Sequence, residues 1–247
     1  MKHFVAYARL FFFLSTMAIG ILFCMISAVF GGNFIRRNIK IRKAWIRFVA
    51  PLMGIRMKQT GFIPDGPCLF ISNHRSFLDP VVALYYVSAW PLAKAEISRY
   101  PLIGYGTRLT GILFVNRGSM DSRRGAKHAI AQVLSRGEGV LVYAEGTTNT
   151  DAKTIELKGG SFKVAMDLGV PIIPIAIEYE DTGDHWGGSS LLTHYIKQVG
   201  KRKTACAIAF GPTIHGVDYR DSVQKTKLWM DSQLLEFRQE FDAKLDR

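Results

Sequence analysis

Apolar and polar positions alternate along most of the chain in a pattern that predicts short buried strands separated by helices. Five short apolar, β-rich segments are present, at 68–72, 111–115, 139–144, 170–179 and 204–211. The stretches between them predict helices at 78–88, at 121–136 with Asp121 and Ser122 as its cap, at 161–168 and at about 220–245. Strands that are apolar on both faces and alternate with helices are typical of a parallel sheet covered on both sides. The predicted fold class is therefore α/β, a mainly parallel sheet flanked by helices.

The N-terminal part of the chain has a different pattern. Residues 10–30 form a run of twenty-one residues without a charged side chain. About twenty apolar residues in a helix cross the hydrocarbon core of a bilayer, and few soluble helices of that length are apolar all round. The run is longer than the apolar part of a typical signal peptide, and no clear cleavage site follows it. It predicts a membrane helix and leaves open whether the helix spans the bilayer or enters one leaflet.

The segment after this run predicts a second helix that lies in the membrane interface. One side of this helix is apolar and the other basic, and Pro51 and Gly54 end it. The apolar side comprises Phe34, Ile35, Ile39, Trp45, Ile46 and Val49. The predicted organisation is a pair of membrane-anchoring helices at 1–53 followed by one folded domain at 54–247.

The charge distribution indicates a membrane surface as a partner. The formal net charge is +12, and ten Lys and Arg but no Asp or Glu lie in residues 1–64, so the rest of the chain is close to neutral. Cations beside an apolar helix attract anionic lipid headgroups by about 1 kcal/mol each and favour a cytoplasmic position for the chain that follows. A nucleic-acid-binding protein would carry its basic face on the folded domain, so no nucleic acid is expected.

The cysteines indicate neither a metal centre nor a disulfide framework. Cys24, Cys68 and Cys206 each lie in an apolar string, without C-x-x-C or zinc-ligand spacing. They predict buried, reduced thiols in a cytosolic setting. No metal and no tightly bound cofactor are expected.

Three of the predicted strands are each followed by a side chain that can take part in chemistry: His74, Arg117 and Glu145. Because ligands bind beyond the carboxyl ends of parallel strands, we expect these side chains to lie in one region. In the stretch "SNHRSFLDP", residues 72–80, Asp79 at the start of a helix can reach back to His74. A histidine held by a carboxylate is a general base for an alcohol at neutral pH. The alternative is that Asp79 only caps its helix and His74 is a surface loop residue.

The chain lacks the motifs of enzymes that supply their own nucleophile. It contains no G-x-S-x-G, no H-E-x-x-H and no Walker-type loop. A base without an enzyme nucleophile indicates that the substrate supplies the nucleophile. An alcohol that attacks an activated acyl group fits this arrangement.

Four sequence blocks resemble, in the same order, those of the glycerolipid acyltransferases, the family of 1-acyl-glycerol-3-phosphate acyltransferase. "NHRSFLDP" (73–80) resembles the N-H-x4-D block, "GILFVNR" (111–117) the G-x-x-F-x-x-R block, "YAEGTT" (143–148) the F-P-E-G-T-R block and "VPIIPIAI" (170–177) the V-P-[IV]-x-P-V block. The resemblance covers about residues 50–215. The N-terminal helix pair is also similar to the membrane-docking helices of that family.

The resemblance implies a role for individual residues. His74 would be the base and Asp79 its orienting partner, and the other histidines lie in no block. The implied substrate-binding residues are Asn73, Lys94, Gly111, Phe114, Arg117, Glu145, Gly146, Thr147 and Pro171. Arg117 would contact the glycerol phosphate, since an arginine binds phosphate through two hydrogen bonds, and Pro171 would hold the fourth block near the acyl donor. For Phe114 and Pro171, core packing and a strand edge are the alternative.

The resemblance also implies an activity. The enzyme would transfer a fatty acyl group from acyl-CoA or acyl-ACP, as a co-substrate, to the free hydroxyl of a lysolipid. The acceptor that the family favours is 1-acyl-glycerol-3-phosphate, which would give phosphatidic acid in phospholipid biosynthesis. The catalytic domain would work on the cytoplasmic face of a membrane.

One departure from the family pattern bears on the acceptor. Thr148 stands where the third block has arginine, and Ala144 replaces the preceding proline. Cations that can compensate are Lys94, Arg123, Arg124 and Lys158. Alternatively, the acceptor is a headgroup-bearing lysophospholipid or a lyso-aminolipid. Two further alternatives are an acyl-thioester hydrolase and a lipid-binding protein whose motif has decayed. The four ordered blocks, with His74, Asp79, Arg117 and Glu145 all present, argue against decay.

Overall fold

The computed structural model describes residues 2–99, 101–116, 118–216 and 218–245. Its helices are α1 (Lys2–Val29), α2 (Phe34–Leu52), α3 (Asp79–Tyr86), α4 (Pro101–Leu109), α5 (Met120–Ser135), α6 (Gly160–Asp167), α7 (Leu191–Val199) and α8 (Tyr219–Leu245), with short 3₁₀ helices at Ala95–Arg99 and Thr182–Asp184. Its strands are β1 (Ile55–Thr60), β2 (Leu69–Ser72), β3 (Ala89–Lys94), β4 (Leu113–Val115), β5 (Gly139–Tyr143), β6 (Ile172–Tyr179) and β7 (Thr204–Phe210).

The strands form one seven-stranded sheet in the order β1-β7-β6-β2-β5-β3-β4. β6, β2, β5, β3 and β4 run parallel, whereas β7 pairs antiparallel with β6 and parallel with β1. The predicted mainly parallel α/β fold is therefore confirmed. Side chains of β2 point alternately into two cores: Phe70 packs with α2 and α3, and Leu69 and Ile71 pack with α5 and α6. Both faces of the central strands are buried, which explains their continuous apolar runs.

The structure adds elements that the sequence pattern did not predict. Strands β1 and β3 and helices α4 and α7 are new. β1 is an edge strand in which Ile55 is buried but four of its six residues are exposed, so its sequence is mostly polar. The cap of α5 also differs from the prediction, because the Ser119 side chain accepts from the Ser122 N–H and the helix begins at Met120.

Helix α1 begins at Lys2, well before the apolar run, and is docked near both ends. Ala6 is fully buried, and the Arg9 guanidinium donates to the Val199 carbonyl at the end of α7 at 2.8 Å. Near the other end, the Cys24 carbonyl accepts from Asn38 of α2 at 3.2 Å. Within the described residues, the segment from His3 to Val29 is one helix long and apolar enough to cross a membrane. Its outer side exposes large apolar side chains: Phe4, Phe11, Ile19, Leu22, Phe23 and Ile26.

Three cations of α2 bind carbonyl groups of the domain, so this part of the basic run does not simply face lipid headgroups as expected. Arg42 is buried and donates to the carbonyls of Ala89 at 2.6 Å and Thr110 at 2.7 Å. Burial lowers its pKa to about 10, so it stays charged at neutral pH. Lys43 and Arg47 donate to the last carbonyls of α3, where the helix dipole favours cations. These helices share a core with the sheet, and the boundary at residue 53 stays a prediction.

The three cysteines are free and buried, as the sequence predicted. In the part of the chain that the structure describes, no cluster of three or more His, Cys, Asp or Glu side chains is arranged to hold a metal ion.

Candidate active site

His74 and Asp79 form a hydrogen-bonded pair at the carboxyl edge of the sheet. His74 lies in the loop after β2, and Asp79 is the first residue of α3. His74 Nδ1 is 2.7 Å from Asp79 Oδ2. The carboxylate is fully buried and the imidazole is 17% exposed, so the histidine opens to solvent while its partner does not. Because a carboxylate only accepts, Nδ1 carries the proton and the lone pair of Nε2 is left to act as a base.

Three further donors fix the Asp79 carboxylate. Its Oδ2 accepts from the backbone N–H groups of Arg75 at 2.6 Å and Ser76 at 2.8 Å. Its Oδ1 accepts from the Tyr179 hydroxyl at 2.8 Å. Burial, followed by the charge of Asp79, raises the pKa of the Tyr179 hydroxyl well above its ordinary value, so this group stays a donor. The carboxylate therefore cannot rotate away from His74 without breaking several hydrogen bonds.

The His74 backbone is held by the loop that follows β5. The Glu145 carboxylate accepts from the His74 N–H at 2.9 Å, and the His74 carbonyl accepts from the Asn149 N–H at 2.8 Å. The other carboxylate oxygen of Glu145 accepts from Asn149 Nδ2 at 3.0 Å and from the Ile155 N–H at 3.1 Å. Glu145 is only 3% exposed. The structure therefore gives this predicted substrate-binding residue a positioning role.

The buried side chain of Arg75 links the His74 loop to the loop that follows β5. Arg75 is 1% exposed and donates to the carbonyls of Asn149 at 2.9 Å and Asp151 at 2.5 Å. Its charge is balanced by Glu178 at 3.2 Å. Glu178 also contacts His185 at 2.6 Å. His185, which lies in no sequence block, therefore has a buried carboxylate partner.

A second histidine outside the sequence blocks, His194, also contacts the loop. Its Nε2 lies 3.2 Å from the Ser76 hydroxyl, and its ring meets Phe77 edge-on. Burial lowers its pKa to about 4, so it is neutral at physiological pH. On the opposite side of the loop, Tyr143 stacks on the His74 ring with 4.4 Å between centroids. Aromatic contacts thus restrict both the loop and the base.

The other predicted residues separate into two groups. Lys94 ends β3 and is exposed, and Gly146 and exposed Thr147 follow β5, so these three lie at the same edge as His74. Gly111 precedes β4 and Pro171 precedes β6, so these two lie at the opposite edge. Ile177 lies beside Asn73, the residue before His74, and Pro171 lies six residues before Ile177 of β6. At 3.3 Å per residue, Pro171 is therefore about 20 Å from the edge that carries His74.

These positions correct the roles implied for three residues. Asn73 is fully buried and its side-chain amide pairs with both backbone groups of Ile177, at 2.8 and 2.9 Å. A Cβ on Gly111 would lie 2.8 Å from the Trp90 ring, so this glycine serves packing. Pro171 is too far from His74 to hold a donor beside it. Phe114 is half-buried within β4, and Arg117 lies outside the described residues.

Sequence reasoning missed Arg75, Asn149, Glu178, Tyr179, His185 and His194. Arg75 and Asn149 lie inside or beside the recognised blocks, which was the available signal. Glu178 was detectable as an acid within an otherwise apolar strand, since a buried charge requires a partner.

A cleft lies beside the β5 loop, between the sheet edge and helices α5 and α6. Its volume is about 180 Å³. We call it the basic cleft, and its lining comprises Leu92, Val115, Arg123, Ala126, Lys127, Ile130, Val142, Tyr143, Ala144, Gly146, Lys158, Gly160 and Ser161. Two of the four cations named from the sequence, Arg123 and Lys158, therefore lie in it, whereas Lys94 and Arg124 do not line it.

Comparison with known proteins identifies the class of protein that this fold and site define. The family model described as Acyltransferase matches residues 54–178, which is half of the chain. The chain belongs to this acyltransferase family, as the four sequence blocks predicted.

Individual relatives fall within the same class. The chain is 30% identical over 144 residues to a lyso-ornithine lipid O-acyltransferase of Pseudomonas aeruginosa, which covers 58% of this chain and 55% of that protein. It is 31% identical over 176 residues to the human 1-acyl-sn-glycerol-3-phosphate acyltransferase alpha, which covers 68% of this chain and 60% of that protein. The chain thus spans little more than half the length of these curated relatives.

A solved structure has the same fold over nearly the whole chain. The crystal structure of the 1-acyl-sn-glycerophosphate acyltransferase PlsC from Thermotoga maritima superimposes with a TM-score of 0.68. The match covers 96% of this chain and 97% of that one at 17% sequence identity. At this identity the likeness concerns the fold, including the N-terminal helices.

Proposed function

We propose that this protein transfers a fatty acyl group from an acyl thioester to the free hydroxyl of a lysolipid at a membrane surface. The observation that carries the proposal is the His74–Asp79 pair, in which four hydrogen bonds fix the carboxylate and leave Nε2 of the base open. Membership of the acyltransferase family supports the reaction type.

In the proposed reaction, His74 Nε2 takes the proton of the lysolipid hydroxyl as its oxygen attacks the thioester carbonyl. The imidazolium that forms is stabilised by Asp79 through Nδ1. Collapse of the tetrahedral intermediate breaks the carbon–sulfur bond, and the proton leaves with the thiol. The products are the acylated lipid and the free carrier thiol, so no covalent enzyme intermediate is required. The carrier is coenzyme A or acyl carrier protein.

An apolar cleft supports a substrate with a long hydrocarbon chain. This cleft, of about 230 Å³, lies between α1, α2, α3 and α4 and is lined almost entirely by apolar atoms. Phe13, Trp45 and Val81 are among its lining residues. Val81 belongs to α3, the helix whose first residue is Asp79, so this cleft adjoins the helix that carries the partner of the base.

The helix pair supports a membrane surface as the place of work. The exposed aromatic and aliphatic side chains of α1 continue on α2 with Phe48, which is 58% exposed. Because both ends of α1 contact the rest of the protein, we propose that α1 lies in one leaflet beside the domain. Exposed basic residues of α2, among them Arg36, Arg37 and Lys40, would then meet anionic headgroups on the cytoplasmic face.

The acceptor that we favour is 1-acyl-glycerol-3-phosphate, which gives phosphatidic acid. The human relative is named for this activity, and the basic cleft offers cations for its phosphate. A lyso-aminolipid is the second candidate, because the Pseudomonas relative is named for a lyso-ornithine lipid and Thr148 replaces the family's arginine.

The test is an acceptor screen with the full-length protein in phospholipid vesicles. Labelled acyl-CoA is supplied with lysophosphatidic acid, lysophosphatidylcholine or lyso-ornithine lipid, and the acylated products are measured for wild type and His74→Ala. We expect lysophosphatidic acid to be the best acceptor and His74→Ala to lose at least a hundredfold in rate while keeping its melting temperature. Acyl-CoA cleavage without any acylated lipid would identify a thioester hydrolase. A folded His74→Ala variant that retains a tenth of the activity would disprove the role of His74.

A further inference from the structure

The basic cleft carries unpaired positive charge. Arg123 and Lys127 lie on α5 one turn apart, and Lys158 faces them from the segment before α6. No carboxylate of the described residues pairs with any of the three. Lys127 lies against Gly160, and Lys158 Nζ lies so close to Gly146 that a side chain there would overlap it. The three cations are exposed, so solvent screens their mutual repulsion, but together they give the cleft a positive potential that attracts an anion.

The N-terminus of α6 adds neutral donors to the same cleft. The helix begins at Gly160, and its N-cap Gly159 has no side chain to satisfy the free N–H groups of the first turn. Such N–H groups and the helix dipole favour an anion. Ser161 lines the cleft and is only 7% exposed, and its hydroxyl has no hydrogen-bond partner among the residues that the structure describes. A buried hydroxyl without a partner is unfavourable, which indicates that a ligand oxygen completes it.

The basic cleft is next to the group that positions the base. Gly146 lines it, and the preceding residue, Glu145, binds the His74 N–H. In 1-acyl-glycerol-3-phosphate the reacting hydroxyl and the phosphate are on neighbouring carbons. A phosphate near Gly146 and a hydroxyl near His74 would therefore fit one small substrate headgroup.

We propose that the basic cleft binds a phosphate group of a substrate through Arg123, Lys127, Lys158, Ser161 and the N-terminus of α6. This inference rests on the proposed function and supplies the cations that Thr148, in place of arginine, does not. The phosphate has two possible sources, the phosphomonoester of the lysolipid acceptor and the phosphates of coenzyme A. Both present charged oxygens that lysine and arginine bind.

Binding is tested first without turnover. Inorganic phosphate is titrated into the full-length protein in detergent, with chloride at equal ionic strength as the control, and the melting temperature is recorded. We expect a phosphate-dependent rise in wild type that is abolished in the double variant Arg123→Gln/Lys127→Gln. Arg124→Gln is the matched control, because Arg124 is the neighbour of Arg123 on α5, is exposed like it, and does not line the basic cleft. Arg124→Gln should keep the phosphate-dependent rise in melting temperature.

Steady-state kinetics then identify the source of the phosphate. A phosphate on the acceptor predicts that Arg123→Gln raises KM for lysophosphatidic acid at least tenfold, with KM for acyl-CoA unchanged. If the phosphate belongs to the donor, Arg123→Gln should instead raise KM for acyl-CoA and leave KM for lysophosphatidic acid unchanged. This rise in KM should disappear when acyl-pantetheine replaces acyl-CoA. Ser161→Ala should raise the same KM severalfold without lowering the melting temperature, since it removes an unpaired hydroxyl.

The outcomes separate the site from the function. No phosphate effect in wild type, or an equal effect in the double variant, would overturn the site. Loss of phosphate binding with both KM values unchanged would overturn its assignment to a substrate. Absence of acyl transfer by wild type with every acceptor contradicts the proposed function, and the melting experiment then decides the site by itself.

Discussion

Replacing Asp79 by asparagine tests how the site holds its base. An amide has one oxygen and one NH₂ group, so its orientation decides which tautomer His74 adopts. The oxygen at the Oδ2 position must accept from two backbone N–H groups as well as from His74. An NH₂ group there would face these donors, whereas at the Oδ1 position it can donate to the Tyr179 hydroxyl. We therefore expect the amide to place its oxygen towards His74 and to preserve the tautomer.

The magnitude follows from the four hydrogen bonds. A hydrogen bond to a charged acceptor contributes about 1.5–3 kcal/mol and a neutral one about 0.5–1.5 kcal/mol, so Asp79→Asn weakens each by about 1 kcal/mol. Part of this loss is offset because a buried charge is removed, and we expect the free energy of unfolding to fall by about 2 kcal/mol. The rate should fall about 10²-fold, because only imidazolium stabilisation is lost. Where the amide imposes the wrong tautomer, about 10⁴-fold is lost.

The assay combines kcat for acyl transfer at saturating substrates with urea denaturation of the same variant. The matched control is Tyr179→Phe, which removes one donor from Oδ1 and leaves all three contacts of Oδ2. It should lower the unfolding free energy by about 1–2 kcal/mol and change kcat less than tenfold. A 10⁴-fold loss in Asp79→Asn would refute the argued amide orientation. A loss below fivefold would show that Asp79 does not act through His74.

Three further predictions concern α2, the buried histidine and the acceptor. Arg42→Met should lower the free energy of unfolding by at least about 2 kcal/mol, since it leaves buried carbonyls unpaired. The control Lys40→Met, at an exposed position, should change it by less than about 0.5 kcal/mol and weaken only binding to anionic vesicles. Equal stabilities of the two variants would contradict the structural role of Arg42. Because the pKa of His194 is lowered to about 4 from 6.5, the unfolded chain binds more protons than the folded one between these pH values, and folding stability falls as the pH falls through this range. The urea midpoints at pH 7 and 4.5 should therefore differ less in His194→Gln than in wild type. Equal differences in both proteins would disprove the contribution of His194 to the pH dependence of stability. Thr148→Arg should lower KM for lysophosphatidic acid severalfold, and a wild-type preference for a headgroup-bearing lysolipid that the arginine reverses would exclude lysophosphatidic acid as the acceptor.

The sheet was predictable where its strands are buried on both faces. Continuous apolar runs identify β2, β5, β6 and β7 because both sides of each strand face a core. The same reasoning fails for β1, whose exposed positions carry Arg56 and Lys58 and whose sequence resembles a polar loop. It also fails for β3, in which Pro91 counts against a strand although the proline is buried there.

The candidate site was predictable where its contacts are local. His74 and Asp79 are five residues apart, so one turn of chain brings them together. The salt bridge between Arg75 and Glu178 joins residues more than a hundred positions apart, and no spacing rule identifies such a pair. The position of Arg42 could not be predicted either, because a basic residue on an amphipathic helix has the same sequence pattern whether it meets lipid headgroups or buried carbonyls.

Residues of different sequence blocks bind each other instead of facing the open part of the site. The Asn73 amide of the first block pairs with the backbone of Ile177 in the fourth, and Glu145 of the third block binds the backbone of His74 in the first. Membership of a block therefore does not imply contact with substrate. A substitution at Glu145 or Asn73 displaces the loop that carries the base, and its effect falls on kcat and on folding stability together. A substitution at Arg123 or Lys158 leaves that loop in place, so its effect falls on KM. The ratio of these effects distinguishes the scaffold of this site from its binding surface.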